Sequence, residues 1–141
     1  MDELRELIES FFKAVSFDKG GRPSYAAIHD LFIMDGRLIR SGPGDPEILT
    51  VAQFATSRGK LFEAGELTAF RETESAATTE TFGNVAHRFS TYRKEGVLNG
   101  ARFTVEGLIS TQFVRLAGEW KMSSMAWDDE RPGLVIPQRY R

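Results

Sequence analysis

The 141-residue chain is predicted to be a single α+β domain, residues 1–141: three N-terminal helices packed in the concave face of a curved, mostly antiparallel β-sheet, an α+β barrel or cone. Three observations predict it. Apolar residues recur at helical spacing up to about Glu63, the period changes to two from Leu67 onward, and Gly83-Asn84 sits between two alternating runs as a two-residue hairpin loop.

The first helix carries Leu4, Leu7, Ile8, Phe11, Phe12 and Val15 on one stripe, with Asp2 as its N-cap. Gly20, Gly21 and Pro23 break it. Ser24 caps a second, shorter helix that turns Tyr25, Ile28, Leu31 and Phe32 inward, and Asp35-Gly36 is a turn signal before a short strand, GRLIR. SGPGDPEIL reads as a loop. Thr50 and Gln53 then have capping-box spacing for a third helix from Val51 to about Glu63, on whose apolar stripe of Val51, Phe54, Ala55, Leu61 and Phe62 the charge of Arg58 is out of place.

The remainder is rich in Thr, Phe, Val and Ser and reads as strands of roughly 67–81, 85–95, 101–115 and 119–128, with KEGVLNG joining the two hairpins. Alternation puts Phe103, Val105, Ile109, Thr111 and Phe113 on one face with Trp120, Met122, Ser124 and Ala126, the face the helices cover. Leu108, Ser110, Gln112, Val114, Met125 and Trp127 fall on the other face. That set is too apolar for plain solvent, so a homodimer through the open sheet face is expected.

Composition narrows the function classes. Eighteen basic and 20 acidic residues give a formal charge of −2, and no basic run could track phosphates, so nucleic acid is not an expected partner. With no cysteine there is no disulfide, thiolate nucleophile or thiolate metal site, which suits a cytoplasmic protein. MDELRELIESFF has neither the basic start nor the unbroken apolar core of a signal peptide, and no membrane segment is expected.

The order helix, helix, strand, helix, long hairpins, together with FGNVAHRFSTY and EWKMSSMAWDDERPG, resembles the nuclear-transport-factor-2-like superfamily, in particular its SnoaL-like members, over roughly residues 2–130. The resemblance implies a cystatin-like cone, an apolar pocket and dimerisation through the sheet. It also implies a choice among activities, since the superfamily includes ketosteroid isomerase, scytalone dehydratase, limonene epoxide hydrolase and polyketide cyclases. The carboxylate base of ketosteroid isomerase falls at Gly42, its tyrosine donor at Phe11 and its carboxylic-acid donor at about Thr111, so all three roles are unfilled. Nor does the sequence show an aspartate, arginine, aspartate set like that of the epoxide hydrolases.

Two groups of residues are candidates for chemistry. If Gly83-Asn84 is the loop, Glu80 faces His87 across the hairpin; the pair either orients a general base, with Tyr92 or Arg58 as electrophile, or is a polar pair near the tip. Arg58 either snorkels, pairs with a strand carboxylate such as Glu72 or Glu74, or grips an acidic or carbonyl-bearing small molecule, with Thr111 and Ser124 nearby and Phe11, Phe54 and Trp120 as apolar wall. His29 and His87 sit on different elements without metal-ligand spacing, so no metal is expected. No nucleotide-loop pattern or GxSxG occurs, and no cofactor is expected. The function expected is therefore small-molecule binding in a dimeric cone. A cyclase, dehydratase or isomerase using His87 with Glu80, and a non-catalytic protein-interaction module, are the alternatives.

Overall fold

The computed structural model describes residues 2–141. The elements run α1 (Glu3–Val15), a 3-10 helix (Tyr25–Leu31), β1 (Phe32–Arg40), β2 (Glu47–Thr50), α2 (Val51–Glu63), β3 (Leu67–Phe82), β4 (Val85–Leu98), β5 (Ala101–Leu116), β6 (Glu119–Asp129) and a closing 3-10 turn (Gln138–Tyr140). One six-stranded sheet has the order β2-β1-β6-β5-β4-β3. Among the described residues only the β1–β6 pair is parallel; the other neighbours are antiparallel.

Helix α1 starts where Asp2 accepts a hydrogen bond from the Arg5 amide at 3.0 Å, and it buries Leu4, Ile8, Phe11, Phe12 and Val15. Full burial of side chains of this size stabilises by roughly 1.5–3 kcal/mol each, and these residues join the sheet's inner face in one core. The capping box on α2 is present in both directions, Gln53 amide to Thr50 Oγ1 at 3.1 Å and Thr50 amide to Gln53 Oε1 at 2.9 Å.

Several local expectations are corrected. The second helix is a 3-10 segment rather than α, because Phe32 is already extended and paired with Met122 in the sheet, leaving seven residues to turn. Asp35-Gly36 is not a turn before the strand but an irregularity inside β1, where Gly36 lies against the Phe32 ring. Glu47–Thr50 is not loop: it pairs antiparallel with Arg37–Arg40. KEGVLNG is mostly strand, with Asn99-Gly100 alone turning the chain.

The Gly83-Asn84 hairpin has the expected register, Phe82 opposite Val85, Thr81 opposite Ala86 and Glu80 opposite His87. The second hairpin departs from simple alternation. Phe113 pairs with Met122 but Gln112 pairs with Ser124, so Ser123 is an extra residue in β6. A one-residue bulge exchanges the faces of everything beyond it. Ser124 and Ala126 therefore share the outer face with Gln112 and Ser110, while Met125, Trp127 and Asp129 turn inward.

The outer face is consequently less apolar than expected, and the C-terminal segment covers part of it. The Tyr140 ring meets Phe89 edge-on with centroids 5.1 Å apart, Thr91 donates to the Tyr140 carbonyl, and Ile136 is buried. No helix among the described residues is long and apolar enough to cross a membrane.

Candidate functional site

Between the helices and the inner face lies a cavity of about 340 Å³. Phe11 and Val15 from α1, Tyr25 from the 3-10 helix, Phe54, Arg58 and Leu61 from α2, and Phe70, Phe103, Ile109, Met125 and Trp127 from the sheet supply most of its wall. Its existence follows from small residues at inner positions. At Gly96 a Cβ would strike the Ala69 carbonyl and press on the Phe103 ring, so glycine there leaves room for Phe103 beside Phe70, with centroids 6.2 Å apart and the rings tilted by 41°.

Four ionisable groups interrupt this apolar lining: Arg58, Glu72, Lys94 and Asp129, with Arg40 exposed at its edge. Lys94 Nζ lies 3.0 Å from Asp129 Oδ1, and the same Asp129 oxygen accepts a hydrogen bond from the Tyr92 hydroxyl. Tyr92, Gly107 and Asp129 stand in one row across β4, β5 and β6. The Tyr92 hydroxyl occupies the space a side chain at position 107 would fill, which is why that residue is glycine. Burial, then the bond to Asp129, raises the Tyr92 pKa, so the phenol stays a donor.

Glu72 is opposite Lys94 in the β3–β4 register, yet among the described residues its carboxylate makes no hydrogen bond or ion pair. Burial raises its pKa from 4.5 to about 7, with Asp129 adding to the rise and Lys94 and Arg58 opposing it.

Arg58 likewise has no carboxylate partner among the described residues. Its guanidinium lies 4.8 Å from the Phe54 ring centroid and 3.4 Å from Ser57 Oγ. Burial and the nearby Arg40 lower its pKa, Glu47, Tyr25 and Glu72 partly offsetting them.

The residues singled out in the sequence divide three ways. Arg58, Phe11 and Phe54 line the cavity as expected. Thr111 and Trp120 are inner-face core beyond it: Thr111 is fully buried, with no hydrogen-bond partner for its hydroxyl among the described residues, and Trp120 packs under the Arg115 guanidinium at 4.5 Å. Ser124 faces outward because of the bulge.

His87 and Glu80 do form their pair, Nε2 to Oε1 at 2.7 Å, but on the outer face with half or more of each side chain in solvent. Tyr92 is on the inner face and fully buried, so the sheet separates it from His87. Of the two strand carboxylates expected as partners for Arg58, Glu74 pairs instead with Arg88, with Nη2 to Oε1 at 2.6 Å and Nε to Oε2 at 3.0 Å. Lys94 and Asp129 were not foreseen. The available signal for Lys94 was a charge at an inner position of a period-two strand; Asp129 had none, because its face depends on the bulge. Among the described residues no cluster of three or more His, Cys, Asp or Glu could hold a metal ion.

No family model matches the sequence, and no curated protein does. Solved structures do match in shape. An NTF2-like protein with a cystatin-like fold from Novosphingobium aromaticivorans has a TM-score of 0.69 and 16% identity over 96% of this chain and 88% of its own. An NTF2-like protein of unknown function from Prochlorococcus has 0.67 and 18%, covering 90% and 93%. A candidate scytalone dehydratase from N. aromaticivorans has 0.72 and 10%, covering 92% and 83%. At such identities the likeness concerns the fold.

Proposed function

In a chain with the NTF2-like, cystatin-like fold, we propose that the inner cavity binds an apolar small molecule bearing a carboxylate or carbonyl group, with Arg58 gripping that group. The observation that carries this reading is an aromatic-walled space of about 340 Å³ containing a half-buried arginine that no protein carboxylate among the described residues neutralises. Structural arginines are ordinarily paired by the protein itself, as Arg88 is by Glu74. Ligand sites combine apolar walls with a few polar groups that fix orientation, and this cavity has that composition.

Calorimetric titration with 2-naphthoate, and with 2-methylnaphthalene as the neutral counterpart, tests it. Arg58→Met is expected to weaken 2-naphthoate by roughly 10- to 100-fold, the worth of a hydrogen bond to a charged group, and to leave 2-methylnaphthalene nearly unchanged. Equal effects on both, or no binding of either, sink the reading.

We also propose a second copy of the chain as partner on the outer face, a reading favoured by the exposed Phe82, Val85 and Leu116 around the hairpin tips. Sedimentation showing a monomer at high concentration would remove that dimer.

A further inference from the structure

The two edges of the sheet differ. The β2 edge is four residues long, follows Pro46 and starts with Glu47, features that discourage pairing with another strand. The β3 edge is 16 residues long. Its first half is served by the chain itself: Phe70 exchanges both backbone hydrogen bonds with Phe17, at 2.8 and 3.0 Å, and the Glu72 amide donates to Ser16 Oγ at 3.1 Å. The irregularity between Glu74 and Ala76 then changes which residues look outward. From the two-residue loop backward, Phe82, Glu80 and Thr78 bond to β4, so the amides and carbonyls of Ala77, Thr79 and Thr81 point away from the sheet. Among the described residues nothing bonds to these outward groups, and 77–82 is exposed throughout. That segment holds one charge, Glu80, and no proline, so it lacks the usual protection of an edge.

We propose that this bare half of the β3 edge pairs antiparallel with the same segment of a second copy of the chain, about a two-fold axis at Thr79, joining the two sheets into one. The segment is self-complementary in that register. Outward residues must meet outward residues for hydrogen bonds to form. An axis at Thr79 sets Thr79 opposite itself and Ala77 opposite Thr81 in both directions, so all three outward residues of each copy are paired. At two bonds for each such pair, the contact supplies roughly six backbone hydrogen bonds. The same register sets Glu80 opposite Thr78 and lays the Phe82 ring, 86% exposed in the single chain, over the small Ala76 of the second copy. The neighbouring registers are worse. An axis at Thr78 leaves Thr81 opposite Ser75, inside the irregular stretch, and an axis at Glu80 sets that carboxylate against its own copy. The contact is made by the edge of the strand, so it is distinct from a partner lying on the outer face.

Amide hydrogen exchange of the wild-type chain, followed by NMR from micromolar to millimolar concentration beside sedimentation velocity, tests this without any variant. As the dimer forms, the amides of Ala77, Thr79 and Thr81 are expected to slow by roughly 10-fold or more. Thr81→Pro removes one outward donor per copy and no bond to β4, a substitution an edge strand tolerates, and should weaken the dimer by roughly 10-fold or more. The chain has no cysteine, so a single one reports cleanly. Paired residues of this kind have Cα atoms about 5.5 Å apart, within disulfide range, so diamide should link Thr79→Cys into a covalent dimer and leave Glu47→Cys, on the other edge, monomeric. A monomer at every concentration overturns this contact and the outer-face dimer together. A dimer whose three amides exchange as fast as in the monomer overturns the edge contact and leaves the outer-face partner standing. Equal cross-linking of the two cysteine variants, or a dimer indifferent to Thr81→Pro, also overturns it.

Discussion

Glu72 and Glu74 are two residues apart on β3, both turned to the inner face, and their surroundings differ completely. Glu74 meets the Arg88 guanidinium through two hydrogen bonds and accepts a third from Ser90 at 2.7 Å, while Thr79 accepts from Arg88 at 2.7 Å. The bond to Glu74 raises the Arg88 pKa against the opposing effect of burial. Glu72 meets a cavity. The first end of the inner face is closed by a satisfied ion pair beside packed core, and the second is open and carries Glu72 and Arg58, neither of which forms an ion pair among the described residues. The lesson is that a charged residue on an inner face indicates function by what its partners leave undone, since the charge itself is common to both ends.

The closed end should give the largest effect when broken. Arg88→Leu leaves Glu74 buried and unpaired, and denaturant unfolding is expected to show a loss of about 3–5 kcal/mol. A loss under about 1 kcal/mol would mean that the pair is no better satisfied than Glu72.

The open end should show itself through pH. The folded pKa of Glu72 is raised, from 4.5 to about 7, so the folded state holds the proton more tightly than the unfolded one. Stability from this group is complete below about 4.5 and declines as pH rises through about 7, by up to about 3 kcal/mol. Unfolding free energies measured from pH 4 to 9 should fall over that window, and Glu72→Gln should flatten the fall; an unaltered profile would place Glu72 in a solvated site.

Gly107 sharpens the comparison from the side of the Tyr92–Asp129 row. Its Cβ would compete with the Tyr92 hydroxyl and the Asp128 carbonyl. Gly107→Ala is therefore expected to cost about 2 kcal/mol through overpacking, read as a lower melting temperature. The smallest effect belongs to the outer face. His87→Gln removes an exposed pair and should change stability by less than about 0.5 kcal/mol and 2-naphthoate affinity not at all; a lost ligand would revive His87 as a site residue.

Much of the frame was legible. The stripe of α1, the Thr50–Gln53 box and the Gly83-Asn84 loop are local signals, each settled by spacing within a few residues, and Arg58 stood out because it broke a pattern that short. The site was less so. Lys94 and Glu72 belong together only through a β3–β4 pairing that closes 22 residues apart and passes an irregularity between Glu74 and Ala76.

The sequence by itself determined the three helical segments, the two long hairpins, the register at the Gly83-Asn84 tip and the His87–Glu80 pair, because these follow from local periodicity and turn chemistry. Tertiary structure alone decided which face each residue beyond Ser123 would occupy. A single bulged residue costs no change in composition or pattern, yet it reverses the alternation after it. By that reversal Trp127 and Asp129 entered the cavity, Ser124 left it, and Lys94 acquired the partner that draws it away from Glu72.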